Sequence, residues 1–204
     1  MKKFFLALAA FAGLSLNAFA QAEPGNDNGF GLKLQVGIAG GSFSKEIAGQ
    51  KVEMDHSGIG YGLELDNRWY VWHNDNMGAA INARWLDFEY TPGTTSYKGL
   101  EEDVNSVEAG ILGVGPMFTY YLGNNMAVDA YYNIVPSVSA AIGDDVTYLG
   151  FGLAHHAGAA FRYKVFQAGC EYRFGKFEVA DVDDDDFTMD APLNNLRIFL
   201  GFKF

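Results

Sequence analysis

The sequence predicts an all-β fold, with eight antiparallel strands closed up-and-down into a transmembrane β-barrel. Three observations predict it. Apolar and polar residues alternate with a period of two in eight successive segments. The connectors between those segments alternate short and long. The chain opens with an export signal and then contains no apolar run long enough for a spanning helix. A period of two belongs to strands with one apolar face. An exported chain of such strands crosses a bilayer only as a closed barrel, which leaves no edge unpaired.

Residues 1–20, MKKFFLALAAFAGLSLNAFA, carry the three parts of the signal. Lys2 and Lys3 form the positive region, Phe4 to Leu16 the apolar core, and Ala18-Phe19-Ala20 the small-x-small site that predicts cleavage before Gln21. A core of roughly 13 residues is too short for a membrane anchor, which needs about 20. No cysteine follows the cleavage site, which excludes a lipoprotein anchor. Residues 21–28 then form a short N-terminal segment, and 29–204 the barrel domain.

The first strand sets Phe30, Leu32, Leu34, Val36 and Ile38 on one face against Gly31, Lys33, Gln35 and Gly37 on the other. The second sets Ile59, Tyr61, Leu63, Leu65, Trp69 and Val71 against Gly60, Gly62, Glu64, Asp66 and Arg68. The third has Met77, Ala79, Ile81, Ala83 and Trp85 around Asn82 and Arg84. The fourth has Leu112, Val114, Phe118, Tyr120 and Leu122, and the fifth Met126, Val128, Ala130, Tyr132 and Ile134. The last three run from Leu149 to Tyr163, Phe166 to Phe174 and Leu196 to Phe204.

Short turns fall at 73–76, 123–125 and 163–165, within the range of tight hairpins. Longer polar loops are predicted at about 44–57, 91–105, 141–147 and 181–192. Short periplasmic turns opposite long extracellular loops are the pattern of outer-membrane barrels. Aromatic residues crowd the short-turn end: Trp69, Tyr70 and Trp72, Tyr120 and Tyr121, Phe161, Tyr163 and Phe166, Phe202 and Phe204. Such rings prefer the membrane–water boundary and predict a girdle there. The competing fold is a soluble barrel of lipocalin type with the apolar faces turned inward. The polar faces count against it, because they carry Gly, Ala and Ser with charges of both signs instead of a Lys/Glu-rich exterior.

Composition excludes several functions. A single cysteine, Cys170, rules out a disulfide framework and a Cys-based zinc site. The balance of 14 Lys+Arg against 25 Asp+Glu argues against nucleic acid as a partner. Cys170 falls between Ala168 and Tyr172 on an apolar face, where a small hydrophobe explains it better than a reactive thiol.

The closing strand, Leu196-Arg197-Ile198-Phe199-Leu200-Gly201-Phe202-Lys203-Phe204, alternates outward apolar residues and ends in Phe. It resembles the C-terminal signal by which the outer-membrane insertion machinery recognises its clients, with Phe202 and Phe204 as the residues read. The whole mature chain is similar to the small outer-membrane β-barrel superfamily of OmpA/OmpX type. That resemblance implies location in the cell outer membrane of a Gram-negative bacterium, with outer-membrane lipid, lipopolysaccharide and the insertion machinery as partners.

The inward charges expected from the alternation are Lys33, Arg68, Arg84, Arg162, Arg173 and Arg197 against Glu64, Asp66, Glu108, Asp129 and Glu171. Eight strands leave an interior just wide enough to be filled by side chains. Buried charges must be paired, so this near-balanced set predicts a salt-bridge network closing the lumen. An ion pathway would favour one sign and a wider barrel.

Negative charge gathers in the long connectors: Glu46, Glu53, Asp55, Glu101, Glu102, Asp103, Asp144 and Asp145, then six aspartates from Asp181 to Asp190, against Lys45, Lys51 and Lys98. The run Asp183, Asp184, Asp185, Asp186 offers oxygen ligands to a divalent cation but lacks the Gly and distal Glu of an EF-hand loop. A solvated acidic loop is the expectation there. No cofactor and no defined metal site are expected.

Catalytic candidates are poor. His155 and His156 are adjacent and face opposite sides of a strand. Ala157 and Gly158 stand where a lipid A deacylase-like His–Ser spacing needs serine. Asp55-His56-Ser57 at a loop edge has nothing to fix its geometry. The sequence therefore predicts a non-enzymatic, monomeric barrel with a closed lumen, serving the envelope structurally or contacting external partners through its acidic loops. The alternatives are a lipid-modifying outer-membrane enzyme and a narrow channel.

Overall fold

The computed structural model describes residues 27–47, 50–97, 100–143, 147–181 and 188–204. Eight strands follow one another: β1 Gly29–Ile47, β2 Gln50–His73, β3 Met77–Tyr97, β4 Leu100–Gly123, β5 Met126–Ile142, β6 Thr147–Tyr163, β7 Phe166–Asp181 and β8 Thr188–Lys203. Each pairs antiparallel with its sequence neighbours, and β1 pairs with β8 to close the barrel. The closure runs from Gly31↔Lys203 to Ala39↔Asn195. Below it, Phe30 and Phe204 exchange backbone hydrogen bonds of 3.1 and 2.7 Å, so the last residue is tied to the first strand.

The three tight turns lie where the alternation breaks. Asn74 Oδ1 accepts from the backbone N–H of Asn76 and Met77 at 2.9 and 2.8 Å, which shapes the first turn. The second turns on Gly123, Asn124 and Asn125, all with positive φ, the backbone region that Gly and Asn tolerate best.

Apolar residues face outward and charges inward. Ile38, Val71, Phe151, Ile198 and Leu200 are each more than 60% exposed on the outer surface, while Arg84, Arg162 and Arg197 are fully buried. A soluble barrel would bury the first group and solvate the second. An outer surface this apolar requires hydrocarbon against it, so the barrel is built to stand in a membrane. Cys170 lies on that outer surface.

Three expectations are corrected. Residues 44–57 and 91–105 are not loops: the β1–β2 ladder continues to Ile47↔Gln50 and the β3–β4 ladder to Tyr97↔Leu100. Beyond the membrane both faces of a hairpin meet water, so alternation disappears while backbone pairing goes on. Glu46, Glu53, Asp55, Glu101, Glu102 and Asp103 therefore belong to strands. Two of the girdle tyrosines turn inward: Tyr121 is buried, and Tyr70 bonds the luminal Thr119 at 2.5 Å. The loops expected at 141–147 and 181–192 are shorter, because β5 runs to Ile142, β6 starts at Thr147, β7 reaches Asp181 and β8 starts at Thr188, which puts Asp181 and Asp190 in strands. Beyond these corrections, β3 holds an extra residue at Trp85, because Asp66 pairs with Arg84 while Leu65 pairs with Leu86. Trp85 and Leu86 both stay on the outer side, which turns Asp87 and Glu89 into the lumen.

Candidate functional site: the filled lumen and the raised rim

Alternation delivers ionisable side chains to the lumen from every strand, and they gather in three tiers. The lowest surrounds the short-turn mouth. Arg162 donates to both oxygens of Asp27 at 2.7 Å and, through Nε, to Asp129 at 2.5 Å. Arg68 pairs with Asp129 at 2.9 Å, and Thr119 donates to the same carboxylate at 2.7 Å. Lys203 contacts Asp27, and the Tyr121 hydroxyl reaches it at 3.2 Å. Asp27 thus folds under the barrel and ties the segment before β1 to β4, β6 and β8. Burial alone would raise its carboxyl. The hydrogen bonds and charge of Arg162, with Lys203 and Arg68, outweigh that and hold it at about 2, below the usual 3.8.

In the middle tier Lys33 bridges Glu64 and Asp66 at 2.6 and 2.7 Å, and its ammonium lies 5.0 Å from the ring centres of Tyr131 and Phe199. Arg84 pairs with Glu171 at 2.5 Å and Glu64 at 3.3 Å. His156 sits between them, its Nδ1 2.8 Å from Glu171. Asp87 accepts from Gln35 at 2.7 Å and pairs with Arg197 at 2.9 Å. The upper tier joins Arg197 to Glu89 at 2.7 Å, Asn195 to Glu89 at 2.6 Å, and Arg173 to Glu108.

All eleven charges expected inside lie in these tiers, and each has an opposite charge within ion-pair distance. Five participants escaped the sequence reading. Asp87 and Glu89 escaped because the Trp85 bulge reverses the side on which odd-numbered residues fall. Lys203 was available from the alternation of β8 itself, and His156 from being out of phase with His155. Asp27 carries no periodic signal, since it lies before the first strand.

Small residues make room for this filling. A Cβ on Gly158 would lie 2.5 Å from the Tyr131 ring, and one on Gly31 would lie 2.1 Å from the Asp66 carboxylate. On the β5–β8 side, Val135, Ala154, Phe177, Val179, Ala191 and Leu193 form a buried apolar cluster inside the barrel.

The outer rim is uneven. The β1–β8 ladder stops at Ala39 and the β4–β5 ladder at Asn105, whereas β1–β2 and β3–β4 pairing continues to residues 47–50 and 97–100. The distal parts of β1–β4 therefore stand above the β5–β8 half as a wall. Asp55–Gly58 of β2 and Gly93–Ser96 of β3 join its two hairpins.

His155 points outward, bonded to the Tyr132 hydroxyl at 2.6 Å and stacked on Phe174 with ring centres 5.3 Å apart. Neither contact supplies a serine or a carboxylate. Asp183 to Asp186 and residues 1–20 lie outside the described residues, as do the side chains of Asp55 and His56. Phe202 lies on the outer side, 5.3 Å ring to ring from Phe166 beside the third tight turn, and Phe204 follows the end of the same strand, bonded to Phe30.

No protein-family model matches the chain, and no curated protein matches its sequence. Solved structures do. Neisserial surface protein A is similar over 86% of this chain and 97% of its own, with 11% identity and a TM-score of 0.51. Ail of Yersinia pestis covers 86% of this chain and 99% of its own at 15% identity, with a TM-score of 0.41. The outer-membrane protease OmpT of Escherichia coli covers 89% and 98% at 10% identity, with a TM-score of 0.45. The first of these, together with the closed ring of eight up-and-down strands, shows that the chain has the fold of the small outer-membrane β-barrels.

Proposed function

We propose that this protein is a non-enzymatic surface-interaction barrel of the Gram-negative outer membrane, and that its binding element is the wall formed by the distal strands of β1–β4. The observation that carries the reading is the unequal length of the two halves. Strands β1–β4 have 19 to 24 residues, and β5–β8 have 16 or 17. Extra ladder beyond the hydrocarbon adds nothing to membrane crossing, for which about 9–11 residues suffice. Among the described residues it ends in two free edges, along β1 above Ala39 and along β4 above Asn105. Free edges accept an extended segment by strand addition. The wall carries Glu46, Glu53, Asp55, Glu101, Glu102 and Asp103 against Lys45 and Lys51, which favours basic partner segments.

The barrel below serves as a rigid post. Its lumen is packed with paired charges and gives the protein no pore function, and the monomer is the working unit. Lipopolysaccharide surrounds the post, and the insertion machinery reads Phe202 and Phe204.

The test is adhesion of cells displaying the full chain to immobilised host-surface proteins. A variant whose two tall hairpins are shortened to the level of Ala39 and Asn105 is the comparison. Loss of adhesion with normal outer-membrane yield supports the reading. Equal adhesion by both proteins, or an acyl change in lipid A that depends on His155 or His56, overturns it.

A further inference from the structure

Charge at the short-turn mouth of the lumen is unevenly supplied. Among the described residues, the ion pairs of Arg68, Arg162 and Lys203 there run to two carboxylates, Asp129 and Asp27. All three cations are buried. Asp129 belongs to β5 and is fixed in the wall. Asp27 stands outside the wall, since β1 starts at Gly29 and its first registered pair is Gly29↔Arg68. Without it, three buried cations share one carboxylate, and buried charge left uncompensated is costly.

The groups that hold Asp27 are set in place by other partners. Arg162 donates to Asp129 through Nε and Nη2 at 2.5 and 3.0 Å, and to the Tyr70 hydroxyl at 3.3 Å. Tyr70 is bonded to Thr119 and lies 6.4 Å ring to ring from Tyr121. Arg68 is held by Asp129 at 2.9 Å and by the Gln167 side chain at 3.2 Å. β1 contributes none of these groups. Into this cradle one carboxylate is inserted. Arg162 grips its two oxygens at 2.7 Å, Tyr121 donates at 3.2 Å, and Lys203 reaches both the carboxylate and the backbone carbonyl. Two parallel N–H groups on one carboxylate are the fork that a guanidinium offers a planar oxyanion. The chain carries Asp27 there by passing close under the end of β8, where a Cβ on Gly29 would lie 2.0 Å from the Phe204 carbonyl oxygen. Withdrawing Asp27 breaks no rung of the β1 ladder. Between it and the ladder, the Asn28 side chain accepts from the Tyr70 N–H at 2.7 Å.

We propose that this cradle is a carboxylate-binding site on the periplasmic face, that Asp27 fills it as a tethered ligand, and that the carboxylate of a periplasmic peptide exchanges with it. The incoming group needs no vacant volume, because it takes the place that the Asp27 carboxylate gives up. It enters by the path along which the chain itself enters. One carboxylate replaces another, so the lumen stays neutralised and no proton or covalent bond changes hands. The exchange frees the segment before β1 and fixes the barrel to a partner beneath the membrane. The tether keeps weak anions out, since a short link presents its carboxylate at an effective concentration of about millimolar. The site lies at the opposite end of the barrel from the wall and is independent of the binding role given to it.

The experiment uses the full mature chain refolded in bilayers. The probes are formate, and acetyl-trialanine either with its free C-terminal carboxylate or as the amide. Asp27→Gly vacates the cradle. Formate is expected to stabilise this variant saturably against urea, lowering its unfolding constant about tenfold at about ten times the dissociation constant. Over the same range the wild type, whose site is filled, is expected to stay unchanged, as is the double variant Asp27→Gly/Arg162→Gln. Heat-modifiable migration verifies that each variant is folded. Exchange in the wild type is read with a protease that cuts before aspartate, the products being identified by mass spectrometry. The acid peptide is expected to speed the cut at Asp27 about tenfold, since cutting follows the released fraction. The amide is expected to leave it unchanged, and cuts at other aspartates keep their rates with both peptides. This second readout needs no variant, so it decides the matter even where Asp27→Gly does not fold. A folded Asp27→Gly that ignores formate or is stabilised equally by chloride, or a cut at Asp27 that responds alike to acid and amide, would overturn the site.

Discussion

Replacing Asp27 with Asn tests whether the segment before β1 is part of the barrel's stability. The carboxylate is 1% exposed and is held by Arg162, Tyr121 and Lys203. Breaking a buried pair by removing one partner costs about 3–5 kcal/mol when the other charge is left alone. Here Arg162 keeps Asp129 at 2.5 Å and Lys203 keeps the backbone carbonyl of residue 27, so the smaller figure set by the proton equilibrium governs. A fall from 3.8 to about 2 corresponds to roughly 2.5 kcal/mol of stability. Because the folded value lies below the unfolded one, that contribution is complete above about pH 4 and disappears as pH falls through about 2. Urea unfolding of the refolded wild type and Asp27→Asn, followed by heat-modifiable migration, measures the difference. The two should differ by about 2–3 kcal/mol at pH 7 and converge as the pH approaches 2. Carboxylates common to both proteins cancel in that comparison. A gap that is absent at neutral pH, or that stays constant to pH 2, refutes the reasoning.

Glu171→Gln leaves His156 facing an amide and Arg84 with Glu64 at 3.3 Å as its remaining partner in a fully buried tier, so urea unfolding should show a loss of about 1.5–3 kcal/mol. The double variant Arg84→Met/Glu171→Leu should lose less than the single one, because it leaves neither of the two charges unpaired. Gly158→Val drives a side chain into the Tyr131 ring 2.5 Å away and should cost about 1–3 kcal/mol by overpacking in the same assay. Gly123→Ala meets nothing within 4 Å but sits at φ 80°, so its cost should be about 1 kcal/mol and wholly conformational.

Strand number, turn positions and the direction of nearly every side chain were legible because a barrel in lipid enforces alternation on both faces at once. Where one face stops meeting lipid, the signal ends. The stretch from Ser44 to Ser57 reads as a polar loop although its described backbone is paired throughout. Bulges defeat the pattern for another reason. Trp85-Leu86 and Ile111-Leu112 are apolar pairs that alternation assigns to opposite faces, and only the partner strand shows that both members stay outside. Asp27 lay beyond reach altogether, since its place under the barrel depends on cations contributed by β2, β6 and β8. The uneven rim follows from ladder lengths, which polar composition does not reveal.

The bulge in β3 yields a prediction that separates its two consequences. Along this strand Arg84 points in, Trp85 and Leu86 point out, and Asp87 points in. Deleting Trp85 therefore removes one of two consecutive outward residues and leaves the rest alternating correctly: Arg84 in, Leu86 out, Asp87 in. The losses are one ring in lipid and its edge contact with Trp69, whose centre lies 6.2 Å away. Deleting Asn82 shortens the same strand by one residue and also removes the Asn133 partner. It further moves Ala83 into the inward position and swings Arg84 onto the lipid side. An arginine facing hydrocarbon costs about 2–4 kcal/mol near the midplane. Glu171 and Glu64 would lose their shared guanidinium as well. Two deletions three residues apart should thus differ sharply in refolding yield and urea stability, with the Trp85 deletion retaining a heat-modifiable barrel and the Asn82 deletion failing to form one. Equal tolerance of both would mean that β3 slips its register freely, and that the luminal ion pairs do not hold its faces in place.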